Sequence, residues 1–204
     1  MTCPAGPRVR ALVLAKAPVA GRVKTRLGAD VGLERAAELA AAALLDTVEA
    51  CTAAYGAEHC HLALAGDLAE AVDGPALLAA TRGWHVHAQR GEGFDERLAA
   101  AHADVADVGP GPVVQVGMDT PQLTPDLLGL VVAGLERHDA VLGPAEDGGW
   151  WVLALRDPRD AVVLAGVEMS TEQAAFAENA VAYTATLNFL RGRVETVTRA
   201  IRGE

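Results

Sequence analysis

The stretch VRALVLAKAPVAGRVKTRL, residues 9 to 27, sets the reading of the whole chain. Residues 9 to 15 form a short apolar run bounded by turn residues, as expected of a strand buried on both faces and central in its sheet. Pro18 and Gly21 then break the run. From Leu33 the apolar positions Leu33, Ala37, Ala40, Leu44, Val48 and Cys51 recur every three to four residues, which predicts a long helix. The turn between strand and helix carries Lys16, Arg22, Lys24 and Arg26, and the two lysines are the only ones in the chain. No carboxylate precedes Asp30, although the protein as a whole has a formal net charge of -10. Such a turn either is a solvated basic surface or awaits a small anion. A nucleic-acid polymer is excluded on charge, because an acidic surface repels a phosphate backbone and counterion release needs many basic contacts.

Working outward, strands are expected at 61–66, 84–89, 112–119, 140–145 and 150–156, with a helix over 94–107. A further helix starts at Thr124 as N-cap and Pro125 at its first position and runs to about His138. Ser170 with Gln173 reads as the capping box of a late helix. Strands alternating with helices predict an α/β domain with a mostly parallel sheet. The length of 204 residues, with 51% apolar residues and no low-complexity tract, suits one domain over 1–204. Neither a signal-peptide core nor an apolar run of ~20 residues is present, so a cytoplasmic protein without a membrane span is expected. Cys3, Cys51 and Cys60 form no CxxC pair and are expected to be reduced and structural.

In parallel sheets of this kind ligands bind beyond the C-terminal strand ends, at the topological switch point. The basic turn sits at such an end and precedes a helix, where backbone N–H groups favour anions. Gly21 permits close approach of a phosphate, and Lys16, Lys24 and Arg26 supply charge. It is not a Walker A loop, since Gly21-Arg-Val-Lys24-Thr25 lacks two of the required glycines, and RGEGFDER completes no GxGxxG. Asp119 ends the strand of VVQVGMDTPQLTPDLL; there it either holds a divalent ion bridging phosphates or closes an Asx turn before Pro121. In LGPAEDGGWWVLAL, Asp147 with Gly148 and Gly149 is either a hairpin turn or an open substrate loop walled by Trp150, with Asp147 as base or metal ligand. His59 with His61 and His85 with His87 form two potential same-face pairs, read either as structural or as a metal site.

LAKAPVAGRVKTRL, GFDERLAAA, VGMDTPQLTPDLL, GPAEDGGWW and Ser170-Thr171, in this order, resemble a bacterial family of the GT-A nucleotide-diphospho-sugar transferase superfamily, some of whose members are linked to arsenosugar synthesis. The resemblance covers about residues 9 to 172. It implies a Rossmann-like GT-A fold and a nucleotide-binding set of Ala15, Lys16, Gly21, Lys24, Thr25, Arg26, Arg97 and Asp119. It also implies Asp119 as metal ligand for Mg²⁺ or Mn²⁺, Asp119 and Asp147 as catalytic residues, and Gly148, Gly149 and Trp150 facing the acceptor. Met169 stands where the family usually has Trp. The family's C-terminal D-x-D-T segment is matched only by Arg193-Val194-Glu195-Thr196, which leaves Glu195 as the candidate second metal ligand.

Three functions follow as alternatives. The first is a metal-dependent glycosyltransferase passing sugar from a nucleotide-diphospho-sugar to a small-molecule acceptor, with a homodimer compatible with it. The second is a nucleotidyltransferase that joins an NTP to a phosphorylated small molecule and releases pyrophosphate; the first loop is similar to the A-K-S-R-L-type loop of phospholactate guanylyltransferases. The third is a non-catalytic nucleotide-binding relic, because fold alone does not fix function.

Overall fold

The computed structural model describes residues 8–145, 149–164 and, as backbone, 194–196. The chain runs β1 (Arg10–Lys16), α1 (Thr25–Val31), α2 (Leu33–Tyr55), β2 (Cys60–Ala65), α3 (Gly74–Ala80), β3 (His85–Ala88), α4 (Phe94–Val108), β4 (Val113–Gly117), α5 (Pro125–Gly134), β5 (Ala140–Pro144), β6 (Trp150–Leu155) and β7 (Val194–Thr196). The sheet order is β3-β2-β1-β4-β6-β5-β7. Every adjacent pair is parallel except those made by β6, which runs antiparallel to both β4 and β5. The expected mostly parallel α/β sheet is thus the observed one.

β1 is buried along its length up to Lys16 because the sheet is covered on both sides. Ala11, Val13 and Ala15 face α2 through Ala41, Leu44, Val48 and Cys51. Leu12 and Leu14 face α4 through Leu98, Ala101 and Val105. The fully buried Ala36, Ala37, Ala40 and Ala41 leave α2 no side-chain bulk on that stripe, so its backbone can lie close to its neighbours.

The helix after the basic turn begins earlier than its apolar period predicts. α1 starts at Thr25, inside the turn, and Gly32 at φ 91° separates it from α2. A Cβ on Gly28 would lie 2.7 Å from Leu33 Cδ2, so the two helices pack tightly at this corner. The α5 start is as expected, with the Leu127 N–H donating to Thr124 Oγ1 at 3.2 Å. Its end falls at Gly134 rather than His138, where the chain passes into turns. Arg156 donates to the Leu135 and His138 carbonyls there, satisfying groups that a further helical turn would have bonded.

Of the six basic side chains before Asp30, which include Arg8 and Arg10 as well as those of the turn, two are absorbed by the fold. Arg10 is 5% exposed and donates to the Val105 carbonyl at 2.5 Å and the Gly111 carbonyl at 2.7 Å. It thereby joins β1 to the last turn of α4, where a cation also meets the negative end of the helix dipole. Arg8 lies 3.0 Å from His59. The charge run is therefore partly structural, which composition does not reveal.

Candidate functional site

β2 and β3 extend the sheet to one side of β1 and β4 lies on the other, so the switch point falls between β1 and β4. The C-terminal ends of these strands carry Lys16 and Gly117-Met118-Asp119. The two tips are tied together: the Met118 N–H donates to the Leu14 carbonyl at 3.1 Å, and the Lys16 N–H points at Met118 Sδ at 3.3 Å. Thr47 on α2 donates to the Ala43 and Met118 carbonyls, at 2.9 and 3.5 Å. Thr120 Oγ1 donates back to the Gly117 carbonyl at 3.1 Å, so this threonine side chain helps close the turn after β4. The Asp119 carboxylate is engaged elsewhere, 2.7 Å from Lys24 Nζ. That pairing is neither of the two roles expected for Asp119, and it leaves the carboxylate at the end of the sheet beside the basic turn.

Lys24 reaches Asp119 from the N-cap of α1, at φ 48° and ψ 38°, a left-handed conformation uncommon for a side chain with a Cβ. Gly21, at φ 77°, makes the preceding turn without that penalty. Arg22 pairs with Glu70 at 3.2 Å, both well exposed. Among the described residues Lys16 and Arg26 form no ion pair, and both are exposed. Ala15 is buried, and its carbonyl accepts from Gln89 Nε2 at 2.9 Å. Thr25 is exposed as the first residue of α1.

The loop after β3 borders the same end of the sheet. Gln89 Nε2 donates to both Ala15 and Ala63 carbonyls at 2.9 Å, and its backbone N–H donates to Leu64. Arg97 donates to the Gly91 carbonyl at 3.0 Å and the Glu92 carbonyl at 2.8 Å. Its guanidinium thus shapes the 90–93 loop. Phe94, at the start of α4, meets Trp150 with ring centroids 6.2 Å apart and planes tilted by 50°. Gln89 escaped the sequence reading as a site residue, its one signal a position beside a glycine-rich turn, and Phe94 entered it only within GFDERLAAA, with no role of its own.

The Ala145 N–H donates to the Gly149 carbonyl at 2.9 Å, closing the connection between β5 and β6. Asp147, Gly148, Met169, Ser170, Gln173 and Arg193 lie outside the described residues. Glu195 is placed on β7 opposite Val141. β6 and β5 lie between β7 and β4, which separates their backbones by about 14 Å at the usual inter-strand spacing. Among the described residues there is no group of three or more His, Cys, Asp or Glu side chains able to hold a metal. Asp119 fits a hard divalent ion as a single carboxylate, in the manner of sites where Mg²⁺ takes its remaining oxygens from phosphate and water.

His61, His85 and His87 do meet across β2 and β3, while His59 lies in the turn before β2. His61 stacks on His85 with centroids 4.7 Å apart, and its Nδ1 lies 3.1 Å from His87 Nε2. Burial foremost, then the neighbouring His85, His87, Arg10 and His59, pull the His61 pKa down to about 3. His102 on α4, fully buried with both ring nitrogens unpartnered, is likewise lowered to about 3 by burial.

Charge contact with an anion at this end of the sheet makes a direct prediction. Arg26→Ala should weaken binding of a phosphorylated nucleotide by on the order of 1.5 to 3 kcal/mol, with thermal stability unchanged because the side chain is exposed and has no ion partner among the described residues. Calorimetric titration checks it, and unchanged affinity removes Arg26 from the site.

A family model described as "Uncharacterized protein conserved in bacteria (DUF2064)" matches residues 47–171, which include Asp119. No curated protein matches the chain. Among solved structures, a "putative nucleotide-diphospho-sugar transferase" from Desulfovibrio desulfuricans G20 is 28% identical with a TM-score of 0.72, covering 92% of this chain and 78% of that one. A cytidylyltransferase from Leptospira borgpetersenii serovar Hardjo-bovis is 14% identical with a TM-score of 0.56, over 93% of this chain and 75% of its own. The 4-diphosphocytidyl-2C-methyl-D-erythritol synthase of Anaerococcus prevotii is 11% identical with a TM-score of 0.54, over 94% and 86%. These two show a shared fold. No helix among the described residues is long and apolar enough to cross a membrane.

Proposed function

The chain belongs to the bacterial DUF2064 family, and on that premise we propose that it is a transferase acting on a nucleotide-activated substrate, specifically a glycosyltransferase that uses a nucleotide-diphospho-sugar and a small-molecule acceptor. The observation that carries the reading is the meeting of Lys24 and Asp119 at 2.7 Å, across the switch point between β1 and β4. One cation and one carboxylate from separate strand ends suit a diphosphate and the divalent ion that accompanies it. The likeness to the Desulfovibrio protein supports the donor class.

In this reading Lys16, Lys24 and Arg26 bind the diphosphate, and Gly21 keeps the loop backbone free to approach it. Asp119 would hold Mg²⁺ or Mn²⁺, which offsets negative charge on the departing nucleoside diphosphate. Phe94 and Trp150 form an aromatic wall, the kind of surface on which a sugar or base can rest. Gln89 fixes the loop beside it by holding the ends of β1 and β2.

A nucleotidyltransferase is the second reading, favoured by one observation: Lys16 and Arg26 have no ion partner among the described residues, so with Lys24 three cations are available to a triphosphate. The leaving group separates the two. With a mixed pool of acceptors and a divalent ion, nucleoside diphosphate should be released from a nucleotide sugar, and no pyrophosphate from an NTP. Metal-dependent pyrophosphate without nucleoside diphosphate selects the second reading. Neither product from any donor selects the non-catalytic relic.

A further inference from the structure

The contact that carries the proposed function also constrains it. Lys24 Nζ sits 2.7 Å from Asp119 Oδ2, where an ion coordinated to that oxygen would need to stand. A bound Mg²⁺ lies about 2.1 Å from its carboxylate oxygen and keeps several waters around it. At Oδ2 the ammonium and a hydrated ion therefore compete for the same space, and across the whole carboxylate their like charges oppose joint binding. Among the described residues Asp119 belongs to no group of three or more His, Cys, Asp or Glu side chains that would favour the ion. Lys16 and Arg26, exposed and without ion partners among the described residues, add to the positive potential a bare divalent cation must face.

The lysine is also poised to leave. Its side chain and that of Asp119 are 37% and 48% exposed, and pairs so exposed are weak and readily exchanged. Its backbone is held left-handed, at φ 48°, in a turn where glycine would be unstrained.

Resting on the transferase reading, we infer that Lys24 keeps divalent cations off Asp119 until the phosphates of the incoming nucleotide draw the ammonium away, so that metal and nucleotide bind as one unit. The free protein then holds no metal at this site. Phosphate does two things at once: it takes over the lysine and supplies the oxygens that a lone carboxylate lacks. The consequence is a guard against idle metal loading, built from one side chain.

The test uses the full chain and two probes. Mn²⁺ alone, followed by water-proton relaxation, should bind at least tenfold more tightly to Lys24→Met and Lys24→Gly than to the natural protein; the glycine variant removes the charge while relaxing the backbone. Adding Asp119→Asn to either variant should abolish that gain. Pyrophosphate alone, followed by NMR of ¹³C-labelled lysine, should shift the Lys24 side-chain signal, which is assignable because the chain has only two lysines. Equal Mn²⁺ affinity in the natural protein and both Lys24 variants, with Asp119→Asn weakening all of them, overturns the exclusion and leaves the metal-dependent transferase reading standing. A Lys24 signal that pyrophosphate does not move overturns the release step. A gain in Mn²⁺ affinity in the Lys24 variants that is indifferent to Asp119→Asn overturns both this inference and the assignment of the metal to Asp119.

Discussion

Lowering the pH from 7 to 5 is expected to destabilise the folded protein by about 4 kcal/mol, and two buried histidines are the reason. His61 and His102 refuse a proton in the folded state until about pH 3, whereas the same side chains in the unfolded chain accept one near 6.5. Between those values the unfolded state binds more protons, so stability is intact above 6.5 and falls as the pH drops toward 3. At pH 5 each histidine is about 1.5 units below its unfolded value, which is worth roughly 2 kcal/mol. Urea denaturation at pH 7, 6 and 5 measures this. His102→Leu should remove about half of the slope. It should also raise stability at pH 7, because two unpartnered ring nitrogens are exchanged for an apolar group. An unchanged slope in His102→Leu would show that the side chain titrates normally.

Arg10→Met should destabilise the fold by about 3 kcal/mol. The substitution keeps the apolar stem but deletes two hydrogen bonds from a charged donor, each of the order of 1.5 to 3 kcal/mol, and strands the Val105 and Gly111 carbonyls. Part of that loss is returned, because a guanidinium no longer has to be desolvated. Arg10→Lys should recover little, since one ammonium lacks the fork that spans two carbonyls. The midpoint and slope of a urea titration check both variants. A loss under 1 kcal/mol in Arg10→Met would mean that the α4 terminus is satisfied without it.

These two residues also show where reading the chain from its pattern stops. Arg10 and Lys24 belong to one acid-free run and are indistinguishable there, yet one is a structural tie buried under α4 and the other faces Asp119. Burial separates them, and burial depends on which helix crosses the strand. Arg97, which the family resemblance implies beside the nucleotide, also fastens its own loop, while Gln89, which holds the ends of two strands, carried no motif at all.

Local pattern determined β1 to β6 and the helices α2, α4 and α5, though not α1, α3 or β7: apolar runs of strand length, the helical period from Leu33, the Thr124 and Pro125 start, and hence a mostly parallel α/β sheet. Those features depend on residues within a few positions of one another. It also determined that Asp119 and the basic turn each end a strand, because a strand's tip is visible where its apolar run stops. Only the tertiary structure decided the strand order, and with it every pairing that matters to the site. β1 lies beside β4, so Lys24 meets an aspartate 95 positions away, whereas the backbone of β7 lies three strand spacings from β4. Such contacts join segments far apart in the chain, and the packing of α2 and α4 against the two faces of the sheet, which no local period encodes, brings them together.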